Sequence, residues 1–259
     1  MSEEPHPRAD ELDDMSALEF VTLMHADDRN ALDAIGPQLE HIAEAVEAIA
    51  GRLRSGGRLH YFGAGTSGLV AAMDAAECPV TFGVADSLVQ AHTVADGRED
   101  DRAAGRSAVA DALIGPRDVA VGVSASGRTA YVLGALEEAT ARGSLTIAIT
   151  CNRLSRMNRG VDIAIEVETG PEVIAGSTRL KSGTVQKVVL NMISTAVFTS
   201  LGHTHRGRMV GVVASNEKLR DRAARIVADL AGLSIDEARA RLEAAGGDMK
   251  AVLAEARKP

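Results

Sequence analysis

Between residues 58 and 168 the spacing of apolar residues switches repeatedly between two periods, and this alternation constrains the fold more than any other feature of the chain. Short, largely apolar runs at 58–63, 80–84, 118–123, 145–150 and 162–167 are expected to be strands. Helical stretches separate most of them, notably 101–113 and 129–142. A strand without a polar face must be covered on both sides, and strands that alternate with helices pair in parallel. The expectation is an α/β fold, a five-stranded parallel sheet with helices on both faces.

The flanks are helical. Residues 18–24 and 31–53 read as an amphipathic helix pair, in which Ile35, Leu39, Ile42, Val46, Ile49 and Leu53 recur every three or four positions. After the last strand, 181–201 and 216–230 are expected as long helices. Residues 234–257 read as two short helices joined at Gly246-Gly247, opened by a capping box of Ser234 and Glu237. These elements divide the chain into an N-terminal helical arm (10–55), a sheet domain (56–210) and a small C-terminal helical domain (211–259).

Composition narrows the functional classes. Apolar residues make up 46% of the chain but aromatics only 2%, with no Trp, so the core must be built from Ala, Val, Leu and Ile. A formal charge of −8 and the lack of aromatic stacking platforms argue against nucleic acid and anionic membranes as partners. Cys78 and Cys151 are too few for a disulfide framework or a Cys-rich zinc site. No run approaches 18 apolar residues, and the acidic, polar start lacks the pattern of a secretory signal. The expectation is a soluble cytoplasmic protein. The apolar faces of the N-terminal helices and of 181–201 exceed what one small sheet should cover, which points to a homodimer.

Three loops rich in Gly, Ser and Thr follow strands and open helices. The first, Gly63-Ala-Gly-Thr-Ser-Gly68, matches the dinucleotide pattern G-x-G-x-x-G, with Asp86 at a fitting distance. It also fits a compact dianion, because the Thr66 and Ser67 hydroxyls join backbone N–H groups at a helix start. The second loop, Ser124-Ala-Ser-Gly-Arg-Thr129, favours the dianion, since a dinucleotide fold needs no second hydroxyl-rich turn. The third, Gly176-Ser-Thr-Arg-Leu-Lys-Ser-Gly-Thr184, precedes a long helix. Helix capping explains any one such loop. One ligand crevice beyond the strand ends explains three more economically.

With Asp74-Ala-Ala-Glu-Cys-Pro79, Gly170-Pro-Glu-Val-Ile-Ala-Gly176, Lys187-Val-Val-Leu-Asn-Met-Ile-Ser-Thr195 and Asn216-Glu-Lys-Leu219, these loops carry a resemblance. From about residue 12 to its end the chain resembles the N-acetylmuramic acid 6-phosphate etherases, a branch of the sugar isomerase (SIS) family. The resemblance implies a SIS fold and cleavage of the lactyl ether at C3 of a 6-phosphorylated amino sugar. That chemistry needs a base, an acid and a phosphate anchor, but no metal or redox cofactor. It places the acid/base pair on Glu77 and Glu99, with Asp100 as the alternative to Glu99 in an acidic run. The phosphate falls to Ser126 and Thr129, supported by Ser124, with Thr66 and Ser67 on the facing loop. Ser177 and Lys181 could reach the sugar or the lactyl carboxylate, or serve only as caps. His203 and His205 are half a metal site, and no metal is assigned.

The chain departs from the family pattern at three places. Leu69-Val-Ala71 stands where Arg-Leu-Gly is usual, Gly211 where an Asp is usual after Met-Val, and the usual Thr-Glu-x-x-Asn stretch is missing before Leu12. Two alternatives share the loops: a SIS aldose–ketose isomerase, and a non-catalytic sugar-phosphate sensor like the glucokinase regulatory proteins. Retention of both carboxylates favours an enzyme.

Overall fold

The computed structural model of the chain describes residues 4–94, 97–211 and 217–256. They group into two compact units. The first comprises the residues up to Ala75 and Ser87–Val197, and the second Ala76–Asp86 and the residues from Phe198 onward.

The first unit holds the expected sheet. Its strands are β1 (Leu59–Ala64), β2 (Val89–Val94), β3 (Val119–Ser124), β4 (Leu145–Thr150) and β5 (Ile163–Glu166), all parallel, in the order β2-β1-β3-β4-β5. The central strands β3 and β4 are buried throughout, which is why their sequences lack a polar face. α1 (Ala17–Asp33) and α2 (Leu39–Arg54) are separated by a 3-10 turn at Gly36–Gln38, where Pro37 and Gly36 interrupt the expected 31–53 helix. A capping box of Ser16 and Glu19 opens α1.

Odd and even strand positions face different helices. On one face Tyr61 donates its hydroxyl to Asp74 of α3 (Gly65–Phe82) at 3.0 Å, and Ser194 of α6 (Lys181–Ser200) donates to the other oxygen of that carboxylate at 3.1 Å. On the other, Phe62, Ala120 and Ala148 pack against α4 (Arg102–Asp111) and α5 (Ala130–Ala141). Glycine lets α4 and α5 touch closely: a Cβ at Gly105 would overlap the Tyr131 carbonyl, and one at Gly134 the Arg102 carbonyl.

One expected strand is corrected. Residues 80–84 finish α3 and its turn, and the edge strand is Val89–Val94 instead. Pro79 lies close enough to the end of α3 to cost it little beyond one N–H···O bond. Burial of Cys78 and Phe82, one turn apart, holds that last turn. Gly83, at φ 65°, ends the helix with its N–H on the Pro79 carbonyl. β2 leaves no apolar run in the sequence because it is half-buried and carries Gln90, His92 and Thr93.

The second unit contains the short hairpin Thr204–His205/Arg208–Met209 and helices α7 (Glu217–Ala231), α8 (Ile235–Ala244) and α9 (Met249–Glu255) around a core that includes Val227, Leu242 and Val252. The expected caps and the break at Gly246-Gly247 are present. Asn216 and Arg257, the expected outer ends of this helical region, lie outside the described residues. A Cβ at Gly211 would overlap the Phe82 carbonyl, and one at Gly83 the Gly211 carbonyl, so the backbone approach here leaves no room for a side chain at either position. Among the described residues no helix is long and apolar enough to cross a membrane.

The sheet also buries a histidine pair. His60 is fully buried, its Nδ1 lies 3.0 Å from Nε2 of His92, and its own Nε2 has no protein partner. Burial, reinforced by His92, pushes the His60 pKa down from 6.5 to about 3. The folded chain therefore resists protonation that the unfolded chain accepts. Stability is full above pH 6.5 and falls with pH towards about 3, at about 1.4 kcal/mol per pH unit. Urea unfolding should show at least this slope between roughly pH 5 and 6.5, and His60→Phe should reduce it, with His92, also lowered by burial, supplying a remainder. An equal slope in both proteins would assign the acid sensitivity to other groups.

Candidate active site

In a parallel sheet, the crevice where chain connections diverge in opposite directions binds ligands. Here it lies beyond the ends of β1 and β3: β1 leads into α3 and β3 into the Ser124–Thr129 turn and α5.

The second loop is the best-organised part. Ser124, buried at the end of β3, has its Oγ 2.8 Å from Thr129 Oγ1 and 3.5 Å from Ser126 Oγ, and accepts the Gly127 N–H at 3.1 Å. Ser126 Oγ accepts the Arg128 N–H at 3.2 Å. Thr129 is the N-cap of α5, yet its side chain makes no cap bond. Three hydroxyls thus converge at a helix start whose first N–H groups receive no side-chain cap, an arrangement suited to a phosphate dianion. Gly127 takes φ 62°, and a Cβ there would overlap Ser155. Only glycine fits this turn without displacing the strand-β4 connection.

β1 runs into α3 without an intervening loop, through Gly65 at φ 53°. A Cβ at Gly63 would lie 2.8 Å from the Gly68 nitrogen, so the glycines of the first motif serve strand–helix packing. Thr66 and Ser67 sit in the first turn of α3. Ser67 is buried and donates to Gln186 Oε1 at 2.9 Å, while Gln186 Nε2 has no protein partner. In the third loop Ser177 is half-buried and bonds through its N–H to the Ile174 carbonyl at 2.9 Å. Lys181, the first residue of α6, is buried, and its ammonium lies 3.2 Å from Asp27 Oδ2. The same oxygen takes His6 Nε2 at 3.1 Å.

The acidic run 99–101 separates by role. Asp101 caps α4 through the Ala104 N–H and pairs with Arg98, and Asp100 is exposed. Glu99 is half-buried, and its carbonyl accepts the Tyr131 N–H at 2.9 Å, which fixes it beside the start of α5 and the Thr129 loop. Glu77 is exposed on α3 and belongs to the second unit, so the two carboxylates do not fall within one unit.

Several organising residues were not singled out in the sequence. Glu172 is fully buried and accepts the N–H groups of Lys181 and Ser182 at 3.2 and 3.0 Å, capping α6 from nine residues upstream. Asp27, His6 and Gln186 carry no local sign, because their partners lie far away in sequence. Glu172 carried the only local sign, a carboxylate ahead of a helix start. Burial raises the Cys151 thiol to about 12, which makes it inert. His203 faces the Phe82 carbonyl through Nδ1 at 2.7 Å, and the described residues contain no cluster of three His, Cys, Asp or Glu that could hold a metal.

Residues 28–151 match the SIS domain family. A protein of Rubrobacter xylanophilus named N-acetylmuramic acid 6-phosphate etherase is 46% identical over 98% of this chain and 87% of its own length. Its namesake from Trichormus variabilis is 45% identical over 98% and 85%. An E. coli CFT073 protein solved in complex with A5P superposes with a TM-score of 0.56 at 20% identity, over 74% of this chain and 97% of that one. The SIS match spans the first and second loops, so the dinucleotide reading of the first is set aside.

Proposed function

Because the chain belongs to the N-acetylmuramic acid 6-phosphate etherase family of SIS-domain proteins, we infer that it converts N-acetylmuramic acid 6-phosphate and water to N-acetylglucosamine 6-phosphate and D-lactate. The observation that carries the phosphate assignment is the convergence of Ser124, Ser126 and Thr129 at the start of α5. In the same reading Thr66 and Ser67, in the first turn of α3, add donors to the phosphate, and Ser177 and Lys181 serve the sugar or the lactyl carboxylate. Lys181 has three donors, of which Asp27 occupies one.

An alkyl ether resists direct displacement. In the open-chain aldehyde the C2 proton is acidified by the carbonyl, and a base removes it. The electron pair then expels the C3 oxygen, which an acid protonates as lactate departs. Water adds across the resulting alkene, its oxygen to C3 and a proton to C2. Glu77 and Glu99 are the acid/base pair in this reading, and no metal or redox step is required.

A homodimer belongs to the same reading. Along α3, Leu69, Met73, Ala76 and Val80 are exposed at helical spacing, with Leu69 at 71% and Val80 at 66%. Leu69, where the family usually carries Arg, extends this stripe, and Glu77 lies at its edge. A second copy covering α3 would enclose that carboxylate. The same reading has the reaction in the cytoplasm, where a phosphorylated sugar formed there is retained because it does not cross a bilayer unaided. Release of D-lactate from N-acetylmuramic acid 6-phosphate by the purified chain tests the function. Aldose–ketose interconversion without lactate would favour the isomerase, and binding without turnover the sensor. A monomer at micromolar concentration in sedimentation would remove the dimer.

A further inference from the structure

The connection between β4 and β5 is basic in an otherwise acidic protein. Residues 151–160 carry Arg153, Arg156 and Arg159 and no Asp or Glu. All three are exposed, and none has an ion-pair partner among the described residues. Arg156 opens a 3-10 turn, Arg156–Asn158, and Arg159 follows it directly. Such a turn advances three residues per revolution, so these two guanidinium groups stand on one side of it. Two like charges on one short turn, neither with an ion-pair partner among the described residues, form a ready site for an anion.

They do not stand over a flat surface. With Arg102 of α4 they rim a cavity of about 390 Å³ between α5 and this connection, floored by Leu136, Met157 and Val161. Glu137 also lines it, but its carboxylate is taken by Arg102 and Arg106. Such a volume lies within the range of small-molecule sites, and an apolar floor under a few convergent charges is their usual make-up. The cavity shares no lining residue with the Ser124–Thr129 loop, yet it is joined to it from behind. The Met157 N–H donates to the Gly127 carbonyl at 3.2 Å, and Ser155 fills the space where a Cβ of Gly127 would stand.

We propose that this cavity is a second ligand site, for a small molecule with a phosphate or carboxylate head and an apolar body, and that the phosphate loop senses its occupancy through the 155–157 turn. The head lies between Arg156 and Arg159, and the body rests on Met157 and Leu136. Movement of Met157 then shifts the Gly127 carbonyl and with it the turn that positions Ser126 and Thr129.

The test uses the full chain and the probe 8-anilinonaphthalene-1-sulfonate, an anion on an apolar body, with N-acetylglucosamine 6-phosphate added to fill the phosphate loop. One probe is expected to bind per chain and to persist when the sugar phosphate saturates. Arg156→Gln with Arg159→Gln should weaken it about tenfold or more, while Arg153→Gln, outside the cavity, should not. Circular dichroism verifies that each variant is folded. Competition by 1-naphthyl phosphate against 1-naphthoate then identifies the preferred head. Bound probe should also shift sugar-phosphate half-saturation at least about twofold in the parent and not in the double variant. Probe displaced by the sugar phosphate, or bound equally by the double variant, overturns the site; an unmoved half-saturation overturns the coupling. A chain that fails to bind the sugar phosphate refutes the proposed function instead and leaves the probe titration readable.

Discussion

Glu99→Gln is expected to lower turnover of N-acetylmuramic acid 6-phosphate by about two to four powers of ten while leaving substrate affinity nearly unchanged. Glutamine keeps the shape and hydrogen bonding of glutamate but cannot transfer a proton, and the phosphate loop is untouched. Glu77→Gln should behave in the same way. Asp100→Asn and Asp101→Asn separate this from a general charge effect: Asp101 is spent on capping α4 and Asp100 is outside the proposed pair, so neither should lower turnover comparably. Isotopes supply the finer reading. In heavy water, deuterium should enter C2 of the recovered amino sugar, and oxygen from labelled water should appear at C3 and not in lactate. Label in lactate would mean cleavage on the other side of the ether oxygen, and full activity in either Gln variant would remove that residue from the pair.

Ser126→Ala combined with Thr129→Ala should raise half-saturation for any sugar 6-phosphate by about two or more powers of ten, because each lost hydrogen bond to a dianion is worth about 1.5–3 kcal/mol. The fold should survive, since neither hydroxyl caps α5 and Ser124 still accepts the Gly127 N–H. Ser124→Ala is the informative contrast. Its oxygen holds the Gly127 N–H and contacts both other hydroxyls, so its loss should loosen the turn as well as the ligand, visible as a lower unfolding midpoint. Unchanged affinity in the Ser126/Thr129 variant would put the anion elsewhere.

Local pattern was enough wherever an interaction is short in sequence. The runs 118–123 and 145–150 are apolar on both faces because β3 and β4 are covered on both, and that alone required a parallel sheet with helices above and below. The capping box at Ser234 and Glu237 closes over three residues and was legible for the same reason. So were the hydroxyls of the Ser124–Thr129 turn, which meet within six positions.

Tertiary structure decided the rest. An edge strand is half-solvated, so Val89–Val94 has no continuous apolar run, while the burial of Cys78 and Phe82 carried α3 past Pro79 against its local preference. The acidic run 99–101 gave no hint that its members separate by role, because the Glu99 backbone is fixed by the Tyr131 N–H of another element while the Asp101 carboxylate caps α4. The motifs likewise named Ser67 and Lys181 but not Gln186 and Asp27, their partners 119 and 154 residues away in the chain. A motif records the residue types a site needs. Which donors are spent on the scaffold and which remain for a ligand is fixed only when distant segments pack together.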